Sequence, residues 1–230
     1  GSFWLWEVSG KDANGNFMEK AQSQAQYFGI PANSEVVNYN GGYDKNFSNY
    51  PNYEFEIDEF IDGDLFHCDA MIIDGSVKFF MVGKCSFALA RFFEGKPVGS
   101  IPIEDRALFE RLQLFCEKVF KQLNCFSGAY HLEAFLDKNT KEFIFLEIGA
   151  RTGGALITRV YEKIFGINIE ETNYLIQMGH LKDVNIKDTA VFAGFLNFPN
   201  IAGRLQGIIK PVLDIESEFI EFVEKGKMLQ

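Results

Sequence analysis

The sequence has few cysteines, few basic residues and no long apolar run. Its four cysteines form neither a CxxC pair nor a short cluster with histidine at zinc-ligand spacing, which argues against a disulfide framework and a structural zinc site. We expect reduced, packed thiols in a cytoplasmic protein. No stretch of about 18 apolar residues occurs, and the N-terminus lacks a basic-then-apolar signal pattern. A membrane partner is therefore not expected.

The acidic balance limits the partners further. The 230 residues include 32 Asp+Glu and 22 Lys+Arg, and the net charge of -10 argues against a nucleic-acid-binding surface. An acidic protein can still hold an anionic ligand where Arg, Lys or a metal stands at the site. With 47% apolar residues and 25 Phe, the chain can build a sizeable core in one large domain or two small ones.

The hydrophobic pattern predicts an α+β fold in which helices pack on an antiparallel β-sheet. Three strand-like runs occupy residues 53–86, and Asp74-Gly75 joins the last two in a tight turn, so we expect an antiparallel meander. Apolar residues recur at helical spacing over residues 106–124. Further helices are predicted at residues 12–28, at 153–166 and from Asn168 onward, and further strands at 190–199 and 203–213 before a short helical tail.

A predicted hairpin within residues 129–150 carries one glutamate in each arm. Strand side chains alternate between faces, so matching the two apolar faces allows only registers in which even positions pair with even and odd with odd. A loop of about five residues pairs Asp137 with Phe143 and Glu133 with Glu147, whose Cβ atoms would lie roughly 5 Å apart. The same face is expected to carry three phenylalanines, Phe135, Phe143 and Phe145. Two like charges in such surroundings need compensation.

Three arrangements could compensate the paired charges, and the residues alone leave them open. The glutamates could lie on a solvated face, share one proton, or bind one divalent cation together. Ligation by oxygen without His or Cys favours Mg2+ over zinc. Arg151 follows on the chain, and Gly153-Gly154 lets the backbone approach a ligand at the start of a helix, where anions bind favourably. This combination indicates a metal and phosphate site.

These residues resemble the C-terminal catalytic core of the ATP-grasp enzymes, especially the amino-acid and carboxylate-amine ligases. The resemblance rests on three segments. The first is Glu133-Ala134-Phe135, followed about a dozen residues later by FLEIGARTGG. The second is FEIDEFIDGDLFHCD at residues 55–69, and the third is MEKAQSQAQYFGIPANSEVV at residues 18–37. Together the matches run from about residue 12 to about residue 210. LNFPNIAGRLQGI, residues 196–208, is similar to a segment of dipeptide-forming relatives.

The resemblance implies ATP and Mg2+ as cofactors and a role for each matched residue. Glu133 and Glu147 would be Mg2+ ligands, and Arg151 would act with Glu147 in catalysis as a partner of the phosphates. The nucleotide contacts would come from Asp58, Glu59, Phe60, Ile61 and Asp64, the last binding the ribose hydroxyls. The implied reaction forms an amide or peptide bond through an acyl phosphate, from small-molecule carboxylate and amine substrates with amino acids among the candidates.

Two departures from the family pattern qualify this expectation. Gly149 stands where many relatives have an Asn metal ligand. The relatives also have a lysine-bearing strand and a glycine-rich loop between the segments that match residues 18–37 and 55–69, and the roughly twenty residues from Val37 to Phe55 are too few to form them. We expect residues 1–52 to form an N-terminal helix and linker, 53–210 the catalytic core and 211–230 a C-terminal tail. The chain is accordingly expected to be a partial ligase core, and the alternative is a noncatalytic binding or scaffold module.

Several other polar residues have two interpretations each. His67 and Asp69 share a strand face, and they could form a second metal pair or a hydrogen-bonded structural pair. His131 and His180 are expected in packing or surface roles. Lys84 could reach a phosphate or remain solvated.

Overall fold

The computed structural model describes most of the chain between residues 61 and 220. Complete residues are described at 61–87, 92, 95–187, 189–199, 206, 209–210 and 212–220, and strand backbone alone at 2–9, 26–29, 54–59, 203–204 and 228–229. Within these residues no helix is both long and apolar enough to cross a bilayer.

The described strands form three antiparallel sheets. The first consists of β1 (Ser2–Ser9), β2 (Gln26–Gly29) and β3 (Glu54–Glu59), with β1 in the middle. The strands of the main sheet are β4 (Gly63–Ile73), β5 (Ser76–Cys85), β6 (Val98–Pro102), β7 (Gly128–Asp137), β8 (Phe143–Gly149) and β9 (Phe195–Asn197). Their order across this sheet is β8-β7-β4-β5-β6-β9. The third sheet pairs β10 (Gly203–Arg204) with β11 (Met228–Leu229).

Helix α1 (Arg106–Gln122) covers one face of the main sheet. Its buried residues Leu112, Cys116 and Phe120 recur every four positions, as one stripe of a helix requires. They pack against alternate residues of the central strands, among them Cys68 and Leu132, which are both 0% exposed. This core confirms the predicted α+β fold of an antiparallel sheet packed by helices.

The other face of the sheet carries two apolar clusters with polar residues between them. Helices α2 (Ile157–Phe165) and α3 (Ile169–Gln177) pack over one cluster, which includes Met71 and Phe79. The second cluster contains Leu65 and Phe135 and lies toward the other end of the central strands. Because side chains alternate along a strand, every second residue of β4 and β7 between these clusters faces the same side as the clusters. Those residues are polar and form the candidate site.

Some predicted elements are confirmed and others are wrong. Asp74 and Gly75 have φ angles of 49° and 75°, as a tight two-residue hairpin turn between β4 and β5 requires. The predicted three-strand meander is wrong, because β3 pairs with β1 and lies in a different sheet from β4. Local patterns identify strands but not such distant partners.

The two ends of the chain also differ from the prediction. Strand β2 occupies positions where the pattern predicts the end of a helix, and its Tyr and Phe favour a strand once β1 offers a pairing edge. The rest of that predicted helix lies outside the described residues. Residues 212–220, where a helical tail is expected, contain no helix.

Gly166 ends α2 with a left-handed backbone. Its φ is 60°, and its N–H donates to the carbonyl of Glu162 at 2.9 Å. Replacing Gly166 by Ala is expected to lower the free energy of unfolding by about 1 kcal/mol, because a Cβ disfavours this conformation. Urea unfolding measures the change, and Gly154→Ala is the control, since a Cβ there would meet no atom within 4 Å. Equal costs for the two variants would contradict this role of Gly166.

Candidate functional site

The hairpin of β7 and β8 holds the two predicted glutamates directly opposite each other. Glu133 pairs with Glu147 in the strand register, which confirms the predicted pairing. Glu133 is only 4% exposed, and Glu147 is half-buried. Burial and the neighbouring charge of Glu133 raise the pKa of Glu147 above its ordinary value. The metal-free pair therefore keeps two like charges close together in surroundings that solvate them poorly.

A β-bulge at Leu146 makes this pairing possible. From the turn inward the observed pairs are Leu136–Phe143, Phe135–Ile144, Ala134–Phe145 and Glu133–Glu147. Leu146 has no partner, so the register shifts by one residue between the turn and the glutamates. The predicted pairing of Asp137 with Phe143 is wrong, because the loop is shorter than predicted and the N–H of Asp137 donates to the carbonyl of Glu142 at 3.1 Å.

The bulge also changes which side chains surround the glutamates. Phe143 and Phe145 are predicted on the glutamate face, but they lie on the opposite face, where the ring of Phe143 is 5.7 Å from the ring of Phe115. Phe135 does lie on the glutamate face, next to Ile144 and Leu146. The surroundings of the pair are therefore apolar but mostly aliphatic.

A buried polar network centred on Asp69 lies beside Glu133. His67 Nδ1 donates to Asp69 Oδ2 at 2.7 Å, and His131 Nδ1 donates to Asp69 Oδ1 at 2.8 Å. The hydroxyl of Tyr161 on α2 donates to Asp69 Oδ2 at 2.7 Å. The network confirms the hydrogen-bonded pair expected for His67 and Asp69. Three donors on one carboxylate offset the cost of burying its charge.

Two further contacts extend this network toward β6 and toward the glutamates. His67 Nε2 and the hydroxyl of Ser100 form a hydrogen bond of 2.6 Å. Gly83 makes room for this bond, because a Cβ there would collide with the His67 ring and the Ser100 hydroxyl. On the other side, His131 Nε2 faces Glu133 Oε1 at 3.3 Å. The network thus runs from β6 through the centre of the sheet to the candidate metal ligands.

The network shifts the pKa values of its members. Burial alone would raise the pKa of Asp69, but the positive charge and hydrogen bonds of His67 and His131 hold it well below its ordinary range. Burial alone would lower the pKa of His131, but its bonds to Asp69 and Glu133 raise it to about 9. At neutral pH the network therefore holds an Asp69 carboxylate and a His131 imidazolium.

The stability of the metal-free protein is expected to fall as the pH rises from about 6.5 to about 9. The pKa of His131 is about 9 in the folded protein and about 6.5 in the unfolded chain. Because the folded value is higher, the stabilisation is complete below pH 6.5 and is lost as the pH passes through the folded pKa. The loss should be about 3 kcal/mol, measured by urea unfolding in the presence of a chelator.

Two histidine variants provide the controls for this pH dependence. His131→Gln should flatten the stability profile over this range, whereas His180→Gln should leave it unchanged, because His180 is exposed. A wild-type profile that is flat between pH 6.5 and 9 would contradict the raised pKa of His131.

Arg151 follows β8 and lies exposed beside the glutamate pair. Its Nη1 donates to the carbonyl of Thr152 at 2.9 Å, and its side chain lies over Gly149. Its charge also lowers the pKa of Glu147, against the stronger effects of burial and Glu133. The structure thus brings Glu133, Glu147 and Arg151 together.

The predicted nucleotide-contacting residues are not all brought to this site. Asp64 accepts a hydrogen bond from Lys84 Nζ at 2.8 Å, and both residues lie on the α1 face of the sheet. Ile61 packs against the apolar cluster of Leu65 and Phe135, next to the glutamates. Asp58 and Glu59 lie on β3, of which only the backbone is described, and Phe60 lies outside the described residues.

Sequence reasoning misses Tyr161 and Ser100 and assigns His131 no partner. The period-two patterns His67-x-Asp69 and His131-x-Glu133 are the available signal, since each puts a base and an acid on one strand face. Tyr161 and Ser100 leave no comparable signal, because their contacts depend on how α2 and β6 dock.

Comparison with known proteins identifies related sequences and folds. No family model matches the sequence. The L-arginine-specific L-amino acid ligase of Bacillus subtilis is 23% identical over 141 residues, which are 61% of this chain and 34% of that protein. The chain therefore spans about a third of the length of this curated relative.

A solved enzyme structure has a similar fold. Phosphoribosylglycinamide synthetase from Anaerococcus prevotii has a TM-score of 0.50 and 16% identity, covering 76% of this chain and 46% of that chain. L-amino acid ligase from Bacillus licheniformis has a TM-score of 0.46 and 23% identity, covering 57% of this chain and 32% of that chain. The sequence match and the shared fold confirm the predicted resemblance to the ATP-grasp enzymes.

Proposed function

We propose that this chain provides the metal- and phosphate-binding part of an ATP-dependent carboxylate-amine ligase. The pairing of Glu133 with Glu147 on one sheet face, with Arg151 beside it, carries this proposal. The sequence match to an L-amino acid ligase supports the general kind of reaction and favours amino acids as substrates. In this proposal residues 53–210 form the catalytic core.

The donor groups at the pair fit a divalent cation. One carboxylate is buried and the other is half-buried, and burial and the charge of Glu133 raise the pKa of Glu147 although the charges of His131 and Arg151 act in the opposite direction. Hard oxygen donors suit Mg2+. Glu133 and Glu147 would hold the ion, which when bound supplies positive charge for the phosphate oxygens of ATP.

The residues of the chain would position the reactants and stabilise charge. In the proposed reaction a substrate carboxylate attacks the γ-phosphorus of ATP and releases ADP, and an amine then displaces phosphate from the acyl phosphate to form an amide. Arg151 would bind the oxygens on which negative charge accumulates. Because its guanidinium is exposed, Arg151 can turn toward these oxygens at little cost.

The nucleotide contacts stay part of the proposal. Ile61 borders the glutamate face and would pack on the adenine, while the backbone at residues 58–60 would contact the base edge. Asp64 would have to leave Lys84 to reach a ribose on that face. Asp64 therefore has the weakest structural support among these residues.

Calorimetry and a phosphate-release assay test the proposal. ADP binding to the chain should require Mg2+, and the natural gene product should release phosphate from ATP only when suitable amino acids are present. ADP binding that is independent of Mg2+ would contradict the metal assignment. Mg2+-dependent binding without phosphate release, with any mixture of amino acids, would contradict the ligase and favour a noncatalytic binding module.

A further inference from the structure

His131 lies between the Asp69 network and the glutamate pair, and the proposed function gives it no role. It precedes Glu133 by two positions on β7, so the two side chains share one face of the sheet. Its backbone partner across the hairpin is Gly149, so β8 places no side chain opposite the imidazole. The ring is buried, and its polar contacts are therefore with protein groups rather than with solvent.

Both ring nitrogens of His131 face carboxylate oxygens. Nδ1 lies 2.8 Å from Asp69 Oδ1, and Nε2 lies 3.3 Å from Glu133 Oε1. An ionised carboxylate only accepts hydrogen bonds, so both nitrogens donate. His131 therefore joins the two carboxylates, and its Nε2–H is directed at Glu133.

Asp69 is held in place by donors from two further elements. Its Oδ2 accepts hydrogen bonds from His67 Nδ1 on β4 and from the hydroxyl of Tyr161 on α2, both at 2.7 Å. Because Asp69 is buried, turning it away from these donors would leave polar groups without partners. The sheet and α2 therefore fix Asp69, and Asp69 fixes the direction of the His131 ring.

The hydrogen bond from His131 distinguishes the two oxygens of Glu133. Oε1 accepts this bond, whereas no group among the described residues donates to Oε2. A glutamate side chain loses rotamer freedom when it is held in one position, and here the ordering is already achieved in the metal-free protein. Oε2 is accordingly the oxygen that remains for a cation.

We propose that His131 is a positioning residue of the cation site: its Nε2–H holds Oε1 of Glu133, so that this carboxylate is ordered before a divalent cation binds. This inference rests on the proposed function, which supplies the cation at Glu133 and Glu147. His131 does not contact the ion, and the carboxylate of Asp69 offsets the charge of its imidazolium. Hydrogen-bond partners of ligating carboxylates typically raise metal affinity by about tenfold or more.

Two substitutions of His131 separate its bond to Glu133 from its bond to Asp69. The amide nitrogen of Asn is attached to Cγ and falls near Nδ1 of an imidazole, whereas that of Gln is attached to Cδ and falls near Nε2. Both variants remove the ring and its charge. Only His131→Gln keeps a donor for Glu133, and only His131→Asn keeps one for Asp69.

Titration of the whole chain with Mn2+, followed by electron spin resonance, compares these variants. His131→Asn should bind Mn2+ about tenfold more weakly than His131→Gln, because it lacks the donor that orders Glu133. The same two substitutions at the exposed His180 should leave the affinity unchanged. Equal affinities of the two His131 variants, or weaker binding by His131→Gln, would overturn the proposal.

NMR of the wild-type chain labelled with ¹⁵N-histidine tests the same contact without any substitution, so it does not depend on the folding of a variant. At neutral pH both nitrogens of His131 should carry protons in the metal-free protein and in the Mg2+-saturated protein, because the bond to Glu133 persists beside the ion. Loss of the Nε2 proton on saturation with Mg2+ would overturn the positioning role.

Glu147→Gln separates failure of this inference from failure of the proposed function. Loss of Mn2+ binding in Glu147→Gln, together with the tenfold difference between the two His131 variants, supports both. Mn2+ binding that depends on Glu147 but is equal in the two His131 variants overturns the inference and leaves the proposed metal site intact. Mn2+ binding that Glu147→Gln leaves unchanged places the ion elsewhere, and it overturns the proposed function and the inference with it.

Discussion

Replacing Glu147 by glutamine is expected to weaken cation binding about 100-fold or more, while the metal-free protein becomes more stable by about 0.5 kcal/mol. The loss of binding follows because an amide oxygen carries no net charge and cannot replace the carboxylate. The gain in stability follows because Glu147 and Glu133 are like charges directly opposite each other in poorly solvating surroundings. A residue with a purely structural role would not combine these two effects.

Binding of Mn2+ followed by its electron spin resonance, together with urea unfolding in a chelator, measures both effects. Glu142→Gln is the matched control, because Glu142 is exposed near the turn of the same hairpin and should change neither quantity. If Glu147→Gln were destabilising in the absence of metal, the repulsion between the two carboxylates would not exceed the attraction of His131 and Arg151 for Glu147. If its cation affinity equalled that of the wild type, the cation would bind elsewhere.

The glutamate pairing is predictable because one strand face must stay apolar, but two details of the hairpin are not. The loop is one residue shorter than predicted, and the bulge at Leu146 adds one residue to β8. These two differences cancel at Glu133 and Glu147, so the pairing is correct although the register near the turn is wrong. The four residues from Phe143 to Leu146 are all apolar, and nothing in them marks where an extra residue would go.

The bulge follows from packing that lies outside the hairpin. It allows Phe143 to reach the α1 face, where its ring meets Phe115 and the guanidinium of Arg111 lies 4.9 Å from its centre. These partners are about 30 residues away in the chain, so a local pattern cannot include them. The α1 core, by contrast, follows directly from the helical spacing of its apolar residues.

The hydrogen-bond network of Asp69 shows even more clearly that local sequence patterns do not predict contacts between distant elements. His67 and Asp69 are recognisable as a pair because they are two positions apart on a strand. Tyr161 lies 92 positions from Asp69, and its hydroxyl reaches the carboxylate only because α2 docks on that end of the sheet. Periodicity predicts which side chains share a face, but not which distant element supplies the missing donor.

Replacing Asp69 by asparagine is expected to lower the free energy of unfolding by about 3 to 5 kcal/mol. Three donors converge on the two carboxylate oxygens, from His67, His131 and Tyr161. An amide offers one oxygen and one NH2 group, so at least one donor would face another donor in a buried position. His131 would also lose one of the two carboxylates that raise its pKa, and the fall in stability between pH 6.5 and 9 should become smaller.

Asp64→Asn is the matched control on the same strand. Its carboxylate is half-exposed and bound to Lys84, so the variant should cost less than about 1 kcal/mol in urea unfolding. A double-mutant cycle between Asp69→Asn and His131→Gln then locates the cost. If the penalty comes from an imidazole left without its carboxylate, His131→Gln should be less destabilising in the Asp69→Asn background than in the wild type. Strictly additive costs would show that Asp69 does not act through His131.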